Sequence, residues 1–274
     1  MHRHAVIRIV KTRLVAITRA VSPKIGQCEL THLEREAIDV ESAQAQHGQY
    51  EACLAGLGCQ VHHLPAEPDL PDSVFVEDTA VVLDELAIIT RPGAASRRPE
   101  TESIARALGP FRRLAFMQPP GTLDGGDLLR IGRVLYVGLS GRSNRAGVRQ
   151  MRELVELFGY RVQGVPVAGC LHLKSAVTQV ADDALLINRE WVDGHSFRAL
   201  KLIDVDPGEP LGANALLVDG TAIYPAAYPH TRRRLEVAGI AVQAVDVSEL
   251  AKAEGGVTCC SLVFRVPVTD GEVG

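Results

Sequence analysis

No stretch of the 274-residue sequence approaches the roughly 20 consecutive apolar residues that a membrane-crossing helix needs; the long runs are pieces such as Ala80-Val81-Val82-Leu83. A chain organised around membrane helices is excluded. Charge of one sign is also lacking. Twenty-nine Lys and Arg against 33 Asp and Glu leave a net charge of −4, with no excess of cations to neutralise nucleic-acid phosphates or an anionic leaflet. Nucleic acid and membrane are therefore not expected partners, and a small molecule is. Glycine (25) and proline (15) stay below the level that marks low complexity or collagen. None of the six cysteines lies in a C-x-x-C, and His62-His63, adjacent on a candidate strand, cannot chelate one metal from a shared face. G-x-S-x-G, P-loop and H-E-x-x-H signatures are missing too, so neither a metal nor another cofactor is expected. Arg8, Lys11 and Arg13 break up every run that would make an export leader, and the cysteines then read as reduced thiols of a cytoplasmic protein.

What is present is a repeat. An apolar strand opened by a polar residue, a turn and a second apolar strand recur at residues 74–90, 123–137 and 171–187, with weaker copies at 212–224 and 257–266. The last copy is completed by the N-terminal strand around residues 14–18. The opening residues Asp78, Asp124, His172, Asn214 and Cys259 are spaced by 46, 48, 42 and 45 residues, within the range of propeller repeats. Helical patterns fall between the strand pairs at 34–57, 100–108, 145–158 and 230–238, followed by third strands at 59–64, 161–165, 201–205 and 240–245. The pattern predicts an α/β fold: one domain over residues 1–274, a five-bladed propeller of ββαβ repeats around a central axis. A ring of this kind brings the five opening residues together at the axis.

Those residues make a chemical set. Cys259 supplies a nucleophile, His172 an acid or base, and Asp78 and Asp124 complement a cation. Strand alternation predicts that Cys259 faces the axis while Cys260, in register with Leu262 and Phe264, faces the packed side. Alternation likewise predicts that Glu77 and Asp78 point to opposite faces of a strand, each needing a partner. A buried cysteine is most often a small core residue and a strand histidine a structural one, so the repeat register is what singles these two out. Asp124 and Asp127 bracket Gly125-Gly126 in a sequence that also suits a tight turn. Arg97 and Arg142, in loops, suit a substrate carboxylate or plain solvation.

The stretches LPDSVFVEDTAVV, ITRPGAASRRPE, TLDGGD, YVGLSGRSN, PVAGCLHLKS and GVTCCS, spread in order from Leu70 to Ser261, resemble the dimethylarginine dimethylaminohydrolases. These belong to the guanidine-modifying (pentein) superfamily, built on a five-bladed α/β propeller. The resemblance implies hydrolysis of Nω-methylated arginine to citrulline and an alkylamine through a covalent thiouronium. It implies Cys259 as nucleophile, His172 as general acid and base, and Glu77, Asp78 and Asp124 around the guanidinium. Asp72, Arg97 and Arg142 would hold the amino-acid end, Leu30 would belong to a lid loop, and Ala253 would offer its backbone to the substrate amine. Ala253 stands where the family usually has a larger aliphatic residue, and Glu254-Gly255 where it often has Asp-Gly. A homodimer is compatible with the resemblance. The rival readings are an arginine deiminase acting on free arginine and a non-catalytic propeller that binds a partner.

Overall fold

The computed structural model describes residues 11–268, so Arg8, on which the reading of no leader partly rests, lies outside them. In chain order the elements are β1 (Thr12–Arg19), α1 (Val40–Gly56), β2 (Cys59–Leu64), β3 (Ala80–Val82), β4 (Leu86–Ile89), α2 (Glu100–Leu108) and β5 (Arg113–Phe116). Next come β6 (Leu128–Ile131), β7 (Val134–Leu139), α3 (Arg145–Val155), β8 (Arg161–Pro166), α4 (Leu173–Ala176), β9 (Val177–Ala181), β10 (Ala184–Ile187) and β11 (Lys201–Asp204). The last are β12 (Leu216–Val218), β13 (Thr221–Pro225), α5 (Pro229–Val237), β14 (Ala241–Val245), α6 (Ser248–Ala251) and β15 (Leu262–Pro267).

These strands form five separate three-stranded sheets, the blades of an α/β propeller. In four blades a hairpin pairs two strands antiparallel, as Val81 with Ile88, and a third returns parallel to the second, as Leu114 beside Ala87. A parallel return needs a crossover of about a dozen residues, commonly a helix. The helices α2, α3 and α5 supply it in their blades. The closing blade joins the two ends of the described chain: β15 runs antiparallel to β1, with Phe264 opposite Val15, and β2 returns parallel after α1.

The blade β9–β11 departs from the predicted ββαβ unit, because only a 3-10 turn, Gly194–Phe197, stands where a helix would be. Its sequence has no apolar stripe at helical spacing, and Val192 and Phe197 instead plug the face a helix would cover. The third strand β5 was not picked out in the sequence either, and α1 starts at Val40 rather than Glu34, where Asp39 accepts the N–H of Ser42 as its cap.

Middle strands such as Leu86–Ile89 and Ala184–Ile187 are buried along their whole length, which accounts for their unbroken apolar runs. In α3, Val148, Met151 and Val155 face inward while Arg149, Arg152 and Glu153 are exposed. The apolar residues gather in five clusters wedged between neighbouring blades. One wedge packs Val15, Ile17 and Phe264 of the closing blade against Ala87, Ile89 and Ile104 of the next. Each fully buried Ile contributes about 1.5–3 kcal/mol, so the ring is held from its wedges and the axis is left to polar side chains.

Across the axis lies a floor made by the segments that lead into the first strand of each blade. Three of them are short helical turns, Val76–Thr79, Gly125–Asp127 and α4. Side chains stitch each turn to its neighbour one repeat on. Asp78 Oδ1 accepts the N–H of Gly126 at 3.0 Å, Asp127 Oδ1 that of Leu173 at 2.9 Å, and Asn214 Oδ1 that of Thr258 at 3.1 Å. The turns approach so closely that a Cβ on Gly125 would lie 1.9 Å from the Glu77 carbonyl oxygen, and one on Gly126 2.6 Å from His172 Nδ1. Glu77, Asp78, His172, Cys259 and Cys260 were expected in strands. All five sit in the floor, two to five residues before the strands begin.

Candidate active site

His172 lies in the floor, 3 % exposed, ahead of α4. Its Nε2 meets Asp124 Oδ2 at 3.1 Å and its Nδ1 is 3.7 Å from Asp78 Oδ1. Asp124 is fully buried; its Oδ1 accepts the N–H of Gly93 at 2.8 Å, and Arg142 Nη1 is 3.9 Å from its Oδ2. Asp78 takes a charge-assisted bond from Arg97 as well as the N–H of Gly126. Burial alone would lower the imidazole's pKa. Asp78, the bond to Asp124 and the charge of Asp127 outweigh it and raise the pKa to about 9, so His172 is an imidazolium at neutral pH.

Cys259 lies across the same cleft, its Sγ accepting the N–H of Gly256 at 3.3 Å. Burial, reinforced by the charges of Glu77 and Asp78, pushes its thiol up to about 12. The resting pair is therefore a neutral thiol and a charged imidazole. Cys260 is fully buried among apolar residues, as expected, although a turn rather than strand alternation turns it inward.

The narrow cleft is lined by Asp72, Phe75, Asp78, Arg97, Arg142, Leu171, His172 and Cys259, together with Glu29 and Ala253–Gly255. Asp72 is buried and its carboxylate accepts the N–H of Glu29 at 3.1 Å; burial raises its pKa. Arg142 donates from Nη2 to Thr31 Oγ1 at 3.1 Å. The segment that includes Leu30 is tied down by Glu254, whose carboxylate accepts the backbone N–H groups of Thr31, His32 and Leu33.

Four sequence expectations come out differently. Arg97 is not a solvated surface charge: it is 4 % exposed, and its nitrogens bond Asp78, Glu100 and the carbonyls of Asp72 and Phe75, so only its edge meets the cleft. Glu77 and Asp78 do part company, but on a helical turn instead of a strand. The Glu77 carboxylate takes Lys174 Nζ and Thr258 Oγ1 (2.8 Å) and lines the opposite mouth of the axis, away from the cleft. Leu30 packs against an apolar cluster rather than lining the cleft. Asp127 is more than a turn residue: fully buried, it accepts Ser140, Ser143 and the N–H of Leu173, and burial lifts its pKa to about 6.

Asp78, Asp124 and His172 offer ligand atoms within 4.8 Å of one another, a metal-like spacing. The carboxylates already hold Arg97, His172 and backbone N–H groups. The set is internally matched in charge. Sequence reasoning missed Lys174, Thr258, Glu29 and the latch role of Glu254. Lys174 stands two residues from His172 and Thr258 next to Cys259, so adjacency to the floor positions is the signal that could have found them.

The fold is shared with known proteins. No family model matches the chain. The N(G),N(G)-dimethylarginine dimethylaminohydrolase of Streptomyces coelicolor is 40% identical over 252 residues, covering 91% of this chain and 96% of that one. Its namesake from Pseudomonas aeruginosa is 37% identical over 82% of this chain and 90% of its own length. The solved structure of a cysteine-to-serine variant of the Pseudomonas aeruginosa enzyme, complexed with citrulline, superposes with a TM-score of 0.87 at 35% identity, covering 91% of this chain and 98% of that one. The N-terminal domain of a cyanobacterial arginine dihydrolase shares the fold at 18% identity, with a TM-score of 0.81 over 92% of this chain and 97% of that one. With a relative 40% identical over nearly the whole of both chains, this chain belongs to the dimethylarginine dimethylaminohydrolase family.

Proposed function

We propose that the protein hydrolyses Nω-methylated L-arginine to L-citrulline and methylamine or dimethylamine, with Cys259 as nucleophile and His172 as general acid and base. The observation that carries this is the pairing across one small cleft of a neutral thiol with an imidazolium held by Asp78 and Asp124. A guanidinium is a weak electrophile, because its charge is spread over three nitrogens. It calls for a soft, strong nucleophile, which a thiolate supplies and a thiol does not.

The substrate itself generates the thiolate. A cation about 4 Å from Sγ stabilises the anion by about 4 kcal/mol at an effective dielectric near 20, roughly three pK units. That brings the Cys259 thiol from about 12 down toward His172's about 9. Because His172 is already protonated, the Sγ proton passes to solvent water, and the thiolate bonds to the guanidinium carbon. His172 passes its proton to the departing nitrogen, the C–N bond breaks and a neutral amine leaves a thiouronium on Sγ. Now neutral, His172 takes a proton from water as the oxygen adds to that carbon; the C–S bond breaks and citrulline is released. Asp124 orients the imidazole through Nε2 and Asp78 stabilises the cation beside it.

At the outer end, Asp72 and Glu29 face the α-ammonium, and Arg142, with the edge of Arg97, faces the α-carboxylate. Glu77, paired with Lys174 and Thr258, supports the floor from below. Residues 1–274 read as one catalytic unit with a small-molecule substrate and a cytoplasmic setting; among the described residues no helix is long and apolar enough to cross a membrane. The test is to incubate reduced protein with asymmetric dimethylarginine and with arginine in parallel and to assay citrulline. Citrulline from the methylated substrate supports the proposal. Citrulline from arginine alone indicates a deiminase, and none from either a binding protein.

A further inference from the structure

A second, open cavity lies beside the cleft and meets it at Leu171, Glu254, Gly255 and Cys259. The two differ in character. The cleft carries Asp72, Asp78, Arg97 and Arg142, whereas the second cavity is walled by Leu33, Leu211, Pro225, Tyr228 and Val247. Two of the large apolar residues that stand exposed in this protein, Leu33 (37 %) and Leu211 (47 %), form its rim. Of its lining residues only Glu254 carries a carboxylate, and that group is taken up by three backbone N–H groups of the lid segment. Polar side chains reach it too, His32, Ser175, Asn214 and Ser248 among them, but it has no buried carboxylate–arginine set like that of the cleft, and its apolar wall suits a hydrocarbon.

The shape of an arginine decides what reaches this cavity. Its guanidinium carbon must sit at Cys259, and the chain from Nδ leads back to Asp72 and Arg142 in the polar cleft. Because the apolar cavity meets the cleft at Cys259 itself, a substituent on a far nitrogen held at Sγ has that cavity within reach. We infer that this cavity is a pocket for the alkyl group of the leaving amine, and that the enzyme accepts Nω-alkyl-L-arginines whose substituent is longer than methyl, propyl and butyl among them. The inference rests on the function proposed above. The chemistry is unchanged: Sγ bonds to the guanidinium carbon, the bond to the alkyl-bearing nitrogen breaks, His172 supplies that nitrogen's proton, and water completes citrulline. The amine released is a longer one.

The experiment compares Nω-methyl-, Nω,Nω-dimethyl-, Nω-propyl- and Nω-butyl-L-arginine with the wild-type protein and with Ala227→Trp, read as citrulline formed. Ala227 is exposed on the wall of the cavity, away from the cleft. The wild type is expected to convert butylarginine with a kcat/KM no more than about tenfold below that of the methyl compound, KM falling as apolar surface is buried. Ala227→Trp is expected to lower kcat/KM for butylarginine by at least about tenfold while dimethylarginine stays within about twofold. If dimethylarginine is turned over but butylarginine falls short by more than about tenfold, or if Ala227→Trp fails to separate the two substrates, this inference is overturned while the function stands. If neither substrate yields citrulline, the function falls with it.

Discussion

The central axis has two mouths, and the floor between them sends neighbouring residues to opposite sides. Asp78 serves the cleft with His172 and Arg97, while Glu77 binds Lys174 and Thr258 at the wider mouth on the other side. Cys259 faces the cleft and Thr258 the wider mouth. At the cleft's rim Glu254 accepts the backbone N–H groups of Thr31, His32 and Leu33, whereas the other mouth is lined by side chains paired with one another, Asp84 with Arg130 and Asp219 with Arg265. The contrast teaches that a carboxylate in the floor is not in itself a substrate ligand. What marks the reactive side is the thiol of Cys259 and the imidazolium of His172 brought to one cleft.

The comparison breaks most sharply at the tandem cysteines. Cys259→Ser is expected to lower kcat by about 10⁴-fold or more with thermal stability nearly unchanged, since serine keeps the shape and loses the accessible anion. Cys260→Ser is expected to keep turnover and lose about 1–3 kcal/mol of stability by placing a hydroxyl in the apolar cluster, measured by denaturant titration. The acidic neighbours come next. Asp78→Asn is expected to cut kcat/KM by about 10²- to 10³-fold, and Glu77→Gln by about tenfold or less. Equal losses in steady-state kinetics would erase the distinction between the two mouths.

The Glu77 and Asp78 case also shows how far the sequence could be read. Repeat spacing placed five polar residues at one axis, and the five blades follow from it. Alternation then assigned faces to the pairs Glu77-Asp78 and Cys259-Cys260, and the assignments hold for a different reason. The chain there is a tight turn, where successive residues rotate by roughly 120° instead of 180°. What stayed hidden depends on contacts distant in sequence: Glu254 reaches the lid segment 221 to 223 residues away, and Lys174 reaches Glu77 across 97. Glu254, at φ 58°, is in a backbone conformation that no local pattern announces. The helix missing from the blade β9–β11 was legible as an absent apolar stripe, and was hidden by reading all five repeats as alike.

Smaller effects sharpen the electrostatic side. Because His172 is raised to about 9, its protonated form should be the competent one in the free enzyme, and kcat/KM should fall as pH rises through about 9. The sign for stability is the same. The imidazolium's contribution is fully present below about 6.5, the unfolded value, and is lost as pH rises through about 9, so melting temperature should decline over that window. A Cys259→Ser control should show the same decline, since the thiol is not its source. Smallest of all, Glu254→Gln should loosen the lid segment and raise KM by about two- to tenfold with kcat little changed. A loss confined to kcat would show that Glu254 acts on the chemistry and not on closure.

The central claim is that an entering guanidinium turns Cys259, and no other thiol, into the nucleophile. Acid quenching the protein during turnover of dimethylarginine, digesting it and sequencing the peptides by mass spectrometry reads this directly. The account predicts a thiouronium carrying the substrate's carbon on Cys259, absent in Cys259→Ser and retained in Cys260→Ser. An adduct on Cys260, or citrulline formed at an undiminished rate by Cys259→Ser, would contradict it.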